Sequence, residues 1–104
     1  MILEIARITL KPGRDEEFLK LAADQGRTIF EEAGGCAGMQ LRKSVESADQ
    51  YIMLVRWRTL DDHLVRFRAS EGLRRWRELT ADLYAAPVRI ENFTPAFDGF
   101  GVEL

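Results

Sequence analysis

One stretch constrains this chain more than any other: Tyr51-Ile52-Met53-Leu54-Val55-Arg56-Trp57-Arg58, followed by Thr59-Leu60-Asp61-Asp62-His63. Its first part is β-branched, aromatic and aliphatic with no Gly or Pro, the composition of a strand. Strand side chains alternate, so Tyr51, Met53, Val55 and Trp57 share one face, and Ile52, Leu54, Arg56 and Arg58 the other. Thr59 is placed to cap a helix, and Asp61 and Asp62 in the first turn suit the helix dipole. Trp57 at the strand end and His63, the one His, a helical turn past the cap are expected at the mouth of a sheet–helix cavity. Chemistry on a small molecule is expected there.

The other segments supply partners for this strand. In Ile2 to Leu10, Ile2, Ala6, Ile8 and Leu10 point one way; Leu3 and Ile5, with Arg7 and Thr9, point the other. Lys11-Pro12-Gly13 breaks the strand, and Arg14-Asp15-Glu16-Glu17 opens a helix running to about Ala33. Its buried stripe is predicted to be Phe18, Leu21, Ala22, Gln25, Ile29 and Ala33, with Leu19 and Phe30 beside it and Gly26 weakening the helix by roughly 1 kcal/mol relative to Ala. Gly34-Gly35 ends the helix, and a second strand is expected from Met39 to Val45. Glu46 to Gln50 is a polar hairpin turn. Leu60, Leu64 and Phe67 line a first helical piece, and Ser70 caps a second from about Leu73 to Tyr84. Its stripe is Leu73, Trp76, Leu79 or Thr80, and Leu83. Val88 to Thr94 is a fourth strand. The tail, residues 95–104, is too short to fold alone and is expected to lie against this subunit or a partner.

The order βαββαβ, with right-handed crossovers, gives a four-stranded antiparallel sheet with both helical units on one face, a ferredoxin-like α+β fold. No linker or repeat divides residues 1–104, so one domain is expected. With Trp57 under the helices, Leu3, Ile5, Ile52 and Leu54 face the uncovered side as a large apolar patch. A second copy packed sheet to sheet relieves that exposure, so a homodimer through the open face is expected.

Composition narrows the function. No apolar run approaches the ~20 residues of a membrane span, and Glu4 within the first apolar stretch argues for a strand over a signal peptide. Cys36 is alone, which fits a reducing cytoplasm. Net charge is −2, and the Arg66, Arg68, Arg74, Arg75, Arg77 cluster lacks interleaved stacking aromatics, which disfavours nucleic acid. One His and one Cys give almost no support for a metal site.

The succession Ala6-Arg7-Ile8-Thr9-Leu10-Lys11-Pro12-Gly13, Glu17-Phe18 and Gly35-Cys36-Ala37-Gly38 resembles a known family. So does Trp57-Arg58-Thr59-Leu60-Asp61-Asp62-His63 with Phe67-Arg68-Ala69-Ser70 and Trp76-Arg77. Together they are similar to the antibiotic biosynthesis monooxygenase domain, a dimeric α/β-barrel family, over about residues 2–93. The resemblance implies oxidation of a small quinol-like or anthrone-type phenolic by dioxygen, with neither metal nor flavin. The protein would hold a flat aromatic in a dry cavity, take a proton and stabilise oxyanion charge. On that reading His63 is the base, Trp57 an apolar wall and one Arg the oxyanion partner. Family oxygenases can carry Asn where Met53 stands and Tyr where His63 stands. Haem-degrading relatives need Asn and His where Ala6 and Phe67 stand, so haem degradation is not expected.

Each candidate has a plainer reading. His63 could be a helix-start His paired with Asp62, and Trp57 a core residue. Tyr51 could bind substrate or sit near a sheet edge. Arg68 and Arg77 could meet a phenolate or make surface ion pairs. Phe67 and Trp76 could wall the cavity or fill the core, and Met53 joins Tyr51 as a candidate contact. A non-catalytic dimer binding a small hydrophobic ligand, or an isomerase or lyase of the same fold, remain alternatives.

Overall fold

The computed structural model describes residues 1–102. Strands β1 (Ile2–Thr9), β2 (Cys36–Lys43), β3 (Gln50–Trp57) and β4 (Arg89–Phe93) form one antiparallel sheet in the order β2-β3-β1-β4. Helices α1 (Asp15–Leu21), α2 (Arg27–Glu32) and α3 (Glu71–Thr80) complete the ferredoxin-like α+β arrangement expected from the residue pattern. The register places Ile2 opposite Trp57, Ile5 opposite Leu54 and Arg7 opposite Ile52. Tyr51, Met53, Val55 and Trp57 are buried beneath the helices with Ala6 and Ile8 of β1 and Leu10 just beyond it. Leu3, Ile5, Ile52 and Leu54 fall on the opposite face, where Phe93 stays 40% exposed.

The first helical unit is not one regular helix. A π-helical turn, Ala22–Gly26, joins α1 to α2. Its wider i→i+5 bonding lets residues four apart stay on one face. The fully buried set is therefore Phe18, Ala22, Gly26 and Phe30, while Leu21, Ile29 and Ala33 of the expected stripe pack partly buried against the core and Gln25 is only half-buried. Gly26 is also more than a weak helix residue: a Cβ there would stand 2.7 Å from Trp76 Cζ3. The helix needs glycine to approach the indole.

A second π-helical segment, Asp62–Phe67, follows β3. Thr59 caps the helical residues 60–61 that lead into it, with Oγ1 accepting from Asp62 N at 3.1 Å and Asp62 Oδ2 accepting from Thr59 N at 3.2 Å. Ser70 Oγ accepts from Leu73 N at 3.1 Å at the start of α3. That helix stops at Thr80 and a 3-10 turn, Ala81–Leu83, replaces its expected last turn. Trp76, Thr80 and Leu83 are buried, so Thr80 and not Leu79 continues the stripe.

Two further expectations need correction. The second strand begins and ends earlier than predicted, leaving Val45 98% exposed in the hairpin loop. Ser44 Oγ accepts from the N–H groups of Glu46 and Ser47, turning the chain before Val45 can pair. In the tail, Phe97, Phe100 and Val102 are exposed, so its described part does not pack on this subunit. Glu103 and Leu104, the rest of that tail, lie outside the described residues.

Candidate active site

A buried carboxylate sits where the sheet meets the second π segment. Glu4 shares the helix-side face of β1 with Ala6 and Ile8, opposite Val55 on one side and Asn92 on the other. It is only 5% exposed. Its Oε1 accepts from Trp57 Nε1 at 2.9 Å and lies 3.2 Å from His63 Nε2. The other ring nitrogen, Nδ1, is 2.8 Å from Asn92 Oδ1. His63 itself is buried and stacks on Trp57, with centroids 5.2 Å apart and planes within 2°.

The local sequence explains this assembly. Alternation along β1 turns Glu4 inward, pairing with β4 puts Asn92 beside it, and Trp57 reaches it diagonally from β3. The π segment sets His63 and Phe67 on one face, where Phe67 packs on Trp57 with centroids 5.0 Å apart.

The electrostatics follow from burial. Desolvation raises the Glu4 carboxyl above its usual range, while the Trp57 hydrogen bond and the charge of a protonated His63 pull the other way. Asn92 Oδ1 lies against one nitrogen of the His63 ring and Glu4 Oε1 against the other. Both ring nitrogens are thus engaged by protein. Glu4 Oε2 accepts no bond among the described residues, and no buried side-chain oxygen there lacks a partner. Oε2 is therefore the oxygen open to the adjoining cavity, which Glu4 lines.

That cavity, of about 470 Å³, runs between the sheet and the second helical unit. Met53, His63, Phe67, Arg68, Trp76 and Arg77, all singled out from the sequence, line it. Tyr84 also lines it, its phenol raised by burial. The structure brings Trp57 and Tyr51 elsewhere. Trp57 is fully buried beneath the imidazole, where it holds Glu4, and is not among the lining residues. Tyr51 donates to Asp15 Oδ2 at 2.5 Å, away from the cavity. Burial first, and Asp15 second, push the Tyr51 phenol up to about 12.

Sequence reasoning missed Glu4 and Asn92. A signal existed: period-2 counting puts Glu4 among Ile2, Ala6 and Ile8, where an unpaired charge is too costly to keep. A larger groove, about 700 Å³, lies between the first helical unit and β2, bordered by Leu19, Phe30, Cys36, Met39 and Leu41. Its charged pair, Arg27 with Glu31, is exposed, whereas the smaller cavity is lined by the buried Glu4 and His63 and is the candidate site. Cys36 borders that groove half-buried, its thiol raised by burial. Among the described residues no group of three or more His, Cys, Asp or Glu is placed to hold a metal ion.

The chain thus carries a ferredoxin-like sheet with an acid–imidazole pair at the floor of an aromatic-walled cavity, and its fold is that of a known family. The antibiotic biosynthesis monooxygenase profile matches residues 1–79, and the chain belongs to that family. The uncharacterized protein YczJ of Bacillus subtilis (strain 168) is 32% identical over 93 residues, covering 89% of this chain and 97% of YczJ. A crystal structure from Bordetella bronchiseptica, described under the same family heading, is 35% identical with a TM-score of 0.87, covering 92% and 97% of the two chains. A mutant of SnoaB, a cofactor-independent oxygenase from Streptomyces nogalater, shares the fold at 21% identity and a TM-score of 0.75, covering 93% and 94%.

Proposed function

We propose that this protein is a cofactor-independent monooxygenase that oxidises a small quinol-like or anthrone-type phenolic with dioxygen. The observation that carries the reading is the Glu4–His63 pair, buried on Trp57 and opening through Glu4 Oε2 into an aromatic-walled cavity. Family membership and the oxygenase activity ascribed to SnoaB support the reaction class.

The chemistry asked of the site is proton removal followed by electron transfer. Glu4, as carboxylate, takes the proton from the acidic C–H or O–H of the bound ring, and His63 compensates the charge change. The substrate anion gives one electron to dioxygen, and the radical pair joins through a new C–O bond. The resulting peroxide anion takes the proton back from Glu4, and the hydroperoxide then loses water to leave a carbonyl, so an anthrone CH₂ becomes C=O with one oxygen atom incorporated and one leaving as water. Phe67 and Trp76 exclude bulk water from the anion.

A homodimer through the open sheet face belongs to the same proposal. The half-buried Leu3, Ile5 and Ile52 and the exposed Phe93, around the buried Leu54, present an apolar surface there that a second copy would cover. Sedimentation should give twice the chain mass, and Ile5→Glu should give a folded monomer; a monomeric wild type removes this part.

The reaction is tested by oxygen uptake with a panel of hydroquinones and anthrones. Uptake is expected for at least one substrate and should fall about 100-fold or more in Glu4→Gln and in His63→Ala. No uptake with any of them, alongside measurable binding, would favour a non-catalytic binding protein.

A further inference from the structure

Arg14, Arg27 and Arg74, at or on the helices, each pair with a glutamate three or four residues away. Three arginines of the sheet have no such partner. Arg7, Arg42 and Arg89 stand exposed on the open face, and their side chains make no hydrogen bond or ion pair among the described residues. The register sets them in one line: Arg42 opposite Ile52, Ile52 opposite Arg7, and Arg7 opposite Arg89. Neighbouring strands are about 5 Å apart, so Arg7 and Arg89 are adjacent and Arg42 lies about 10 Å from Arg7 across Ile52. Like charges directly opposite on a sheet repel, and strand pairing keeps these from separating. Glu91, in the next row, stands opposite Ile5 and makes no ion pair among the described residues.

A hollow of about 360 Å³ lies at this row, lined by the three arginines with Lys43, Ser44 and Ser47, and it has no acidic lining residue. Lys43 is already paired with Asp15 at 3.6 Å. Ser44 Oγ accepts from the N–H groups of Glu46 and Ser47, and its hydroxyl donates to no group among the described residues. The hollow thus presents guanidinium and hydroxyl donors with nothing of opposite charge to take them up. A guanidinium fork matches oxyanion oxygens in pairs, and a single fork satisfies a planar carboxylate. Three around one hollow suit a tetrahedral dianion. Ile52, half-buried between two of them, adds an apolar surface beside the charge.

We propose that Arg7, Arg42 and Arg89 bind a phosphate dianion, free or carried on a small monoester, at the hairpin end of the open sheet face. The site is separate from the cavity under the helices and does not depend on the oxygenase reading. It lies at one margin of the surface proposed for pairing, since Leu3, Ile5, Leu54 and Phe93 occupy the rows further from the hairpin.

The test titrates inorganic phosphate, phenyl phosphate and acetate by calorimetry into the full chain at about pH 8 and constant low ionic strength, where both phosphates are dianions. At least one phosphate should bind about tenfold more tightly than acetate. Tighter binding of phenyl phosphate assigns the site to a monoester; equal or tighter binding of inorganic phosphate assigns it to the free ion. Arg7→Gln, Arg42→Gln and Arg89→Gln should each weaken the phosphate several-fold, and the triple variant should lose the preference over acetate. Arg27→Gln, on α2, should change nothing. The bound phosphate should raise the unfolding midpoint of the wild type and not of the triple variant. Without phosphate the triple variant should be no less stable than wild type, because it loses mutual repulsion. Phosphates no tighter than acetate, a preference surviving the triple substitution, an equal loss in Arg27→Gln, or a triple variant destabilised in phosphate-free buffer overturns the site. None of these outcomes bears on oxygen uptake.

Discussion

Two carboxylates on the helix side of the sheet each hold an aromatic donor, and they behave in opposite ways. Asp15, at the start of α1, accepts from the Tyr51 hydroxyl with Lys43 at 3.6 Å, near enough to water to stay charged. The Tyr51 hydrogen bond lowers its carboxyl below the ordinary range. Glu4 accepts from an indole and lies 3.2 Å from an imidazole nitrogen, and burial raises it. One bond fastens a helix to a strand; the other holds a buried carboxyl beside a cavity. Depth, more than donor type, separates them: where water is scarce, the charge of a carboxylate depends on a partner that can give or take the proton.

The largest effect should come from removing the deep acceptor. Glu4→Leu leaves the Trp57 N–H and a His63 nitrogen buried without a partner, and should cost about 3 kcal/mol in urea unfolding at pH 7. Glu4→Gln keeps an acceptor and should cost about 1 kcal/mol. Equal losses would show that the carboxylate is not the hub of this cluster.

The pH slopes should oppose each other. A raised folded-state value means that the native protein holds a proton the unfolded chain releases, so the Glu4 contribution falls as pH rises above its usual value of 4.5. The Asp15 contribution has the reverse sign: it is present above 3.8 and lost as pH falls through the lowered folded-state value. Comparing Glu4→Gln and Asp15→Asn with wild type across the acid range should give slopes of opposite sign; slopes of one sign would erase the contrast.

The shallow pair should yield less. Tyr51→Phe is expected to cost about 1 kcal/mol at neutral pH. The wild-type phenol is raised to about 12, so its stabilisation is complete below its usual value of 10 and disappears as pH climbs through 12. The Phe variant should lack that alkaline loss. Lys43→Ala, which removes an ion pair whose Lys side chain is 57% exposed, should change stability by no more than about 0.5 kcal/mol.

Legibility in the sequence follows the same division. Alternation along Tyr51–Trp57 and the Thr59 and Ser70 caps are local signals, and the structure reproduces them. The π turn at Ala22–Gly26 escapes a 3.6-residue period because the buried face of this helix repeats every four. Propensity alone makes Gly26 a weak helix residue, although its reason is an indole fifty positions away. The catalytic candidates divide likewise. His63 is visible as a lone imidazole, but its partners on β1 and β4 come together only through strand pairing. Trp57 is expected to wall the cavity, whereas a buried acceptor draws the indole down to Glu4.

The π-helical segment Asp62–Phe67 has a mechanical consequence. It carries both the imidazole at the cavity floor and the Phe67 ring in its wall, four residues apart on a single irregular turn. Wall and floor thus share one stretch of backbone, so a substitution that reshapes this turn alters the cavity's outline and the imidazole's seat together.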